Sequence, residues 1–542
     1  MSMPNNKNHC SVDKNLPLFL NKDKFAFNLK TNNSNTDSKF NLGELEINKG
    51  NYKKARDYFL DSFILDKNID TAINLSTCFS KLEQFSDAIS FFESNLKYFE
   101  NNGTYWAILA THNYCNFDYE GAAGASYNAI FKFNIDLSEI WKIFVFSAKK
   151  INRCELLYKV SKKSLEDALN NPYVLEGYLS SCCSLNLYEE AYNFLNNINL
   201  TKVMVSNMGE ISGIIASLVA SIIARNEWSS ERELAWNELA AKLSPDVSDI
   251  KWNLSLSQLK NCMISECYKN YSARFSWSEF PSPVRIFKKP KWNQNVKTTS
   301  RILLWYEQGI GDELRFISTL PFFKATFPNL ILEPSDKLVE LMTNTFPEIE
   351  VRYSTVESDL STTNEDFDYH LPIGDMFLFC LEMKGDLLRD STYSFSEKYL
   401  KPDKLRNFYW NDKFIKSGGK PLVGFCWRSS FIDRQRSREY SVLEQWRNLI
   451  ESNLFRFVNL QYDLTQTEFV KKYPEYKGWF VDIGHLDQKD DSDGTAALIN
   501  NLDFVLSPAS TPSMISSCLG IPTLIYATPN PYWFSRNKKF SQ

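Results

Sequence analysis

The chain has 542 residues, too many for one hydrophobic core, because single cores rarely grow past about 250–300 residues, so two or three domains are expected. Apolar residues make up 43% and aromatic ones 15%, as in globular packing, while a net charge of -4 leaves no basic field for nucleic acid. Eleven cysteines, odd in number, scattered and without a C-x-x-C pair, exclude a disulfide framework or a zinc knuckle and fit a reducing cytosol.

Residues 1–37 are rich in Asn, Lys and Ser without apolar periodicity and read as a disordered leader with no secretory core. A repeat follows over 38–275. Aromatic-x-x-Ala recurs at Tyr52/Ala55, Phe85/Ala88, Tyr119/Ala122 and Tyr188/Ala191, the alanines being 33, 34 and 69 residues apart. The last gap holds a degenerate unit near Cys154 to Leu157. This is the tetratricopeptide period, in which each helix pair buries its apolar face against the next, so an α-solenoid is expected. The small alanine lets the two helices approach, and the aromatic fills the groove between units. Ile211 to Ala224 is apolar throughout but shorter than the about 20 residues that span a bilayer, and reads as a buried helix. The expected location is cytoplasmic, with peripheral membrane association left open.

Residues 276–298, with Pro281, Pro283 and Pro290, read as a surface connector. Short β-like runs then alternate with helical ones. "RILLWYE", "LILE", "IEVRY" and "DYHLPI" form one block over 299–415. "PLVGFCW", "RFVNLQY", "WFVDI", "DFVLS" and "PTLIYA" form a second over 416–542. Such alternation predicts α/β architecture with two Rossmann-like lobes.

Ligands of such lobes sit beyond the carboxyl ends of the strands, at helix N-termini. The first strand ends in "EQGIGDE", placing Gln308, Gly309, Gly311, Asp312 and Glu313 there. Leu314 occupies the third glycine position of the dinucleotide fingerprint and no G-K-[ST] follows, so neither a nicotinamide nor a P-loop site is indicated. In "SPASTPSMISSCLGIP", Ser510 or Thr511 can cap a helix with Pro512 in its first turn, and Ser513 leaves room for ligand oxygens. A diphosphate would fit, and a merely well-capped structural helix is the competing reading. Arg428, Arg434, Arg436 and Arg438 follow the strand "PLVGFCW"; one or two could neutralise a diphosphate, and the others read as a solvated loop. The four histidines are too few and dispersed for a His-based triad or metal site, which leaves Asp312 and Glu313 as candidate general bases.

Taken in order, "ILLWYEQGIGDELRF", "LILEPSDKLVELMTNTFPEIEV", "DYHLPIGDM", "VGFCWRSS", "RSREYSVLEQW", "FVNLQYD", "DGTAALINNLDFVLS" and "SSCLGIP" resemble tetratricopeptide-repeat glycosyltransferases of GT-B type, akin to heptosyltransferases and more distantly to O-linked N-acetylglucosamine transferases. The resemblance implies sugar transfer from a nucleotide-sugar donor to the hydroxyl of a glycan or protein acceptor. The acceptor would enter at the N-terminal lobe and the donor would bind the C-terminal one. Asp312 would be the general base. Gln308, Gly309, Gly311, Glu313, Arg428, Arg436, Gln461, Ser510, Thr511 and Ser513 would bind substrate. No cofactor or metal is implied, and the repeats would hold a protein partner or the acceptor. The chain departs from the family pattern at Ala509, where an Asp is usual, at Met514, where a His is usual, and at Gly494, where an acid is usual. The alternative is a catalytically degenerate repeat scaffold that binds proteins and a nucleotide.

Overall fold

The computed structural model describes residues 35–526 apart from residues 168, 228, 278–279, 357–359, 363, 365, 384–397, 416–418 and 430–439. The leader expected over 1–37 lies outside the described residues, save its last three, which open the first helix. The chain divides into two compact units, Met1–Ile198 and Asn199–Gln542.

The first unit is an array of helix pairs. First helices run Asn35–Asn48, Ile69–Lys81, Gly103–Cys115, Ser138–Lys150 and Pro172–Ser184. Second helices run Tyr52–Leu65, Phe85–Asn95, Tyr119–Tyr127, Cys154–Lys163 and Tyr188–Asn197. The pair with Cys154–Lys163 is the degenerate unit, and Leu157 takes the alanine place. Ala55, Ala88, Ala122, Leu157 and Ala191 are all fully buried. The repeat aromatics reach the following unit, Phe85 against His112 and Tyr119 against Phe146. Asn68, Asn102 and Asn171 each accept a backbone N–H at the start of a first helix, satisfying donors that the helix cannot.

Each pair turns through one left-handed residue: Gly50, Glu83, Phe117, Asn152 and Asn186, with φ between 50° and 80°. The next residue donates its N–H back across the helix end, as Gln84 does to Phe79 and Arg153 to Ala148 at 2.9 and 2.8 Å. This is the Schellman closure, and it stops the first helix at the same place in every repeat.

In the second unit, Ser212–Asn226 pairs with Ser230–Leu243, and Ser248–Lys260 with Ile264–Tyr271. Ser212–Asn226 is buried on most of its surface, as the apolar run predicts. No described helix is long and apolar enough to cross a membrane. Two parallel sheets follow among the described residues. The first contains β1 (Ile302–Trp305), β2 (Leu330–Glu333), β3 (Glu350–Val351) and β4 (Tyr369–Pro372) in the order β3-β2-β1-β4. The second contains β5 (Leu422–Phe425), β6 (Arg456–Asn459), β7 (Phe480–Val481), β8 (Phe504–Pro508) and β9 (Thr523–Tyr526) in the order β7-β6-β5-β8-β9. β1, β2 and β5 are buried along their full length, as expected of parallel strands covered on both faces.

The architecture is therefore an α-solenoid followed by α/β lobes of the doubly wound kind. Strand order reverses beside β1 in the first sheet and beside β5 in the second, which fixes where a crevice can form. One hydrophobic cluster runs from Ile302 and Leu304 through Leu314 and Ile515 to Val458 and Val505, so the two lobes share a core. The outer face of the second sheet has its own cluster around Phe425, Phe457, Trp427 and Phe469.

Candidate active site

β1 runs out at Trp305, and Gly309 caps the helix Ile310–Ile317 in an extended conformation. Between them Gln308 is left-handed, with φ 65°, a strained geometry for a residue with a β-carbon. Two bonds hold it: its N–H donates to Ser282 Oγ at 2.6 Å, and its Nε2 donates to Tyr271 Oη at 3.1 Å. Asp312 and Glu313 occupy the first turn of the helix, where the positive dipole end favours carboxylates.

The two acids have different fates. Asp312 is half-exposed and accepts a charge-assisted bond from Arg315 Nη2 one turn on. Glu313 turns inward, is 1% exposed, and accepts the Ser335 N–H at 2.9 Å while its second oxygen has no hydrogen-bond partner among the described residues. Burial pushes its carboxyl up to about 7, partly offset by the Ser335 bonds. Glu313 thus braces the segment after β2 rather than facing solvent.

Beneath the turn lies a charge cluster that spacing in the sequence did not reveal. Glu307, fully buried, accepts two bonds from Arg274, Nε to Oε2 at 2.7 Å and Nη2 to Oε1 at 2.6 Å. Arg274 Nη2 also reaches Asp375 Oδ1 at 2.7 Å, and Lys291 Nζ meets the other Asp375 oxygen at 2.5 Å. The guanidinium lies over the rings of Tyr271 and Phe275, 4.2 and 4.0 Å from their centroids. Burial raises the Glu307 carboxyl against the opposing pull of Arg274. Burial would also raise Asp375, but Arg274 and Lys291 outweigh it and hold that carboxyl below its ordinary value. Glu307 follows β1 and Asp375 follows β4, so Arg274 ties together the ends of the two strands at the switch point. The bonded partners of this cluster are 33 to 101 residues apart, and each resembles an ordinary surface charge when read alone.

In the second lobe, β8 leads to Ser510 and the helix Thr511–Leu519. Ser513 is buried, accepting the Ser510 N–H at 3.0 Å and donating to the Ser510 carbonyl at 2.7 Å. The Ser510 and Ser507 hydroxyls lie 2.9 Å apart. Ala509, Ser510, Thr511 and Met514 remain half-exposed. Arg428, after β5, is paired with Asp463 at 2.6 Å. Gln461 is fully buried. Its Oε1 accepts the Arg428 N–H at 3.2 Å and its Nε2 donates to Asp463 Oδ1 at 2.7 Å, so it shapes the loop from beneath. Arg434, Arg436 and Arg438 lie outside the described residues.

The two corners meet. Helix Ile310–Ile317 packs on helix Thr511–Leu519, and a β-carbon built on Gly311 would lie 3.4 Å from Met514 Cγ. Tyr399 fastens the contact, donating its hydroxyl to the Leu314 carbonyl at 2.6 Å and its N–H to the Cys518 carbonyl at 3.0 Å. A further bond joins Asn344 Nδ2 to Asp493 Oδ1 at 3.0 Å. The structure therefore brings Gly311 next to Met514, and sets the helix that carries Asp312 against the helix that begins at Thr511. Such an arrangement offers one half-exposed carboxylate, two helix N-termini and a few hydroxyls. No group of three or more His, Cys, Asp or Glu side chains is placed to hold a metal ion among the described residues.

No family model matches the chain. It is 27% identical over 275 residues to protein FlbA of Caulobacter vibrioides, covering 48% of this chain and 44% of that protein, so the chain spans less than half the length of this curated relative. Similar solved structures include a glycosyl transferase family 9 protein of Veillonella parvula, at 12% identity and TM-score 0.31, covering 43% of this chain and 83% of that one. Others are the ADP-heptose heptosyltransferase II of E. coli, at 13% identity, TM-score 0.28, 42% and 86%, and YrrB, a tetratricopeptide protein with an unusual peptide-binding site, at 14%, 0.28, 35% and 93%. The structural neighbours thus include both tetratricopeptide proteins and glycosyltransferases.

Proposed function

We propose that the chain is a glycosyltransferase that moves a sugar from a nucleotide-sugar donor to an acceptor hydroxyl, with Asp312 as general base and no resident metal or cofactor. The observation that carries this reading is the position of Asp312. It is a half-exposed carboxylate at a helix N-terminus beside the first switch point, and its helix packs against the helix that begins at Thr511. Asp312 would take the acceptor proton as the hydroxyl oxygen attacks the sugar. The N–H groups at the start of the Thr511 helix would meet charge on the departing diphosphate. Arg315, bonded to Asp312 Oδ1, orients the carboxylate. In this reading the glycan or protein acceptor enters over Gly309 and Gly311, and the helical array holds the acceptor or a protein partner.

The test is turnover of a panel of nucleoside-diphosphate sugars by the full chain. Asp312→Asn should lower the rate by about 10²–10⁴-fold, the usual worth of a general base, while leaving thermal unfolding unchanged. Equal rates for both proteins would refute the role.

A second reading, a degenerate scaffold that binds proteins and a nucleotide, is favoured by two observations. Arg428 is already neutralised by Asp463, and an apolar thioether, Met514, faces Gly311. This reading expects thermal stabilisation by nucleoside diphosphates without sugar turnover, and Asp312-dependent turnover excludes it.

A further inference from the structure

The helix Lys404–Ile415 is apolar on two sides. Trp410 and Phe414 are buried in the core shared by the lobes. On the other side Leu405, Phe408, Tyr409 and Ile415 are 80%, 72%, 56% and 77% exposed. At 100° per residue these four side chains fall within an arc of about 120°, a continuous stripe along the helix. Isolated exposed hydrophobics need no explanation, but four on one face mark a contact surface.

The charges around the stripe indicate what it contacts. On the same helical projection Lys404 borders one edge, and Lys413 borders the other, its ammonium 5.7 Å from the Tyr409 ring centroid. Arg406, beside Lys413, is held by Asp491 at 2.6 Å. Asp412 lies within the arc and is half-exposed. From Lys401 to Lys420 there are six basic residues and two acidic ones, in a chain whose net charge is -4. An apolar protein groove would ask for the stripe alone. Lysines on both edges, with stems long enough to lift their ammonium groups to a phosphate layer, add complementarity to anionic headgroups.

We propose that the helix Lys404–Ile415 docks this chain on an anionic lipid surface. Leu405, Phe408, Tyr409 and Ile415 enter the boundary between headgroups and acyl chains, and Lys404 and Lys413 lie at the phosphates. The inference goes beyond sugar transfer and does not depend on it.

Flotation of the full chain with vesicles of phosphatidylcholine containing one-third phosphatidylserine, against pure phosphatidylcholine, tests it. The chain should float with the anionic vesicles and partition several-fold more weakly at 0.5 M salt. Phe408→Ser with Ile415→Ser should lower the partition coefficient tenfold or more. Lys404→Ala with Lys413→Ala should lower it about fivefold per lysine removed. All four positions are on the surface, so the variants should keep the wild-type unfolding midpoint. Partitioning equal to that of the Phe408/Ile415 variant would overturn the proposal. So would a concentration-dependent dimer, seen by sedimentation, that the same substitutions dissolve without any lipid binding by the wild type.

Discussion

Gly374 and Glu307 are pressed together at the switch point of the first sheet. The Gly374 N–H donates to Glu307 Oε1 at 3.1 Å, and a β-carbon on Gly374 would lie 2.4 Å from that same oxygen. The carboxylate cannot swing aside, because both its oxygens are held by Arg274. Gly374→Ala should therefore destabilise the protein by about 2–3 kcal/mol, as overpacking does. Urea unfolding of the purified variant would show it as a lower midpoint with an unchanged slope.

Arg274 is the cation that makes the cluster tolerable. Arg274→Met would leave Glu307 and Asp375 buried with Lys291 alone to neutralise them. The expected cost is about 3–5 kcal/mol, the range for removing one partner of a buried pair. A double-mutant cycle with Glu307→Gln, read by chemical unfolding, should recover a large part of that loss.

Glu313 makes stability depend on pH. In the folded chain its carboxyl keeps its proton up to about pH 7, whereas the unfolded chain releases it near 4.5. Between these values the folded state binds more protons, so this contribution is fully present below pH 4.5 and lost as pH rises through 7. A gap of this size corresponds to roughly 3 kcal/mol. Glu313→Gln retains an acceptor for Ser335 and should flatten that slope, leaving a variant more stable than wild type at pH 8. A wild-type slope retained in the variant would assign the dependence to other groups.

The turn residues of the array offer a gain. Phe117 is left-handed and more than half exposed, at the place that Asn152 and Asn186 fill in later repeats. Asparagine tolerates this conformation better than an aromatic residue does. Phe117→Asn should raise stability by about 0.5–1 kcal/mol, detectable as a higher thermal midpoint.

These cases show what the sequence could and could not disclose. The array was legible because Ala55, Ala88, Ala122 and Ala191 repeat a packing constraint at fixed spacing, and the degenerate unit preserves the site with Leu157. The strands were legible because Ile302–Trp305 and Leu422–Phe425 are short apolar runs buried on both sides. The acidic pair was only half legible, since nothing in "GIGDE" tells which carboxylate turns inward. Burial of Glu313 is decided by Ser335, 22 residues away. Arg428 likewise reads as an available cation until Asp463, 35 residues on, is seen to hold it. The Arg274 cluster was invisible, since a buried ion pair leaves no periodic signal.

Arg274 also bears on how the chain can be divided. Its composition changes near Phe275, which invites cutting there to obtain the α/β lobes alone. Such a fragment would retain Glu307 and Asp375 without their guanidinium, and it would lose Tyr271, which steadies Gln308. The last helical hairpin, Ser248–Lys260 with Ile264–Tyr271, is thus part of the lobes' foundation. A transplant that exchanges the repeats for those of another protein would have to join them ahead of residue 248.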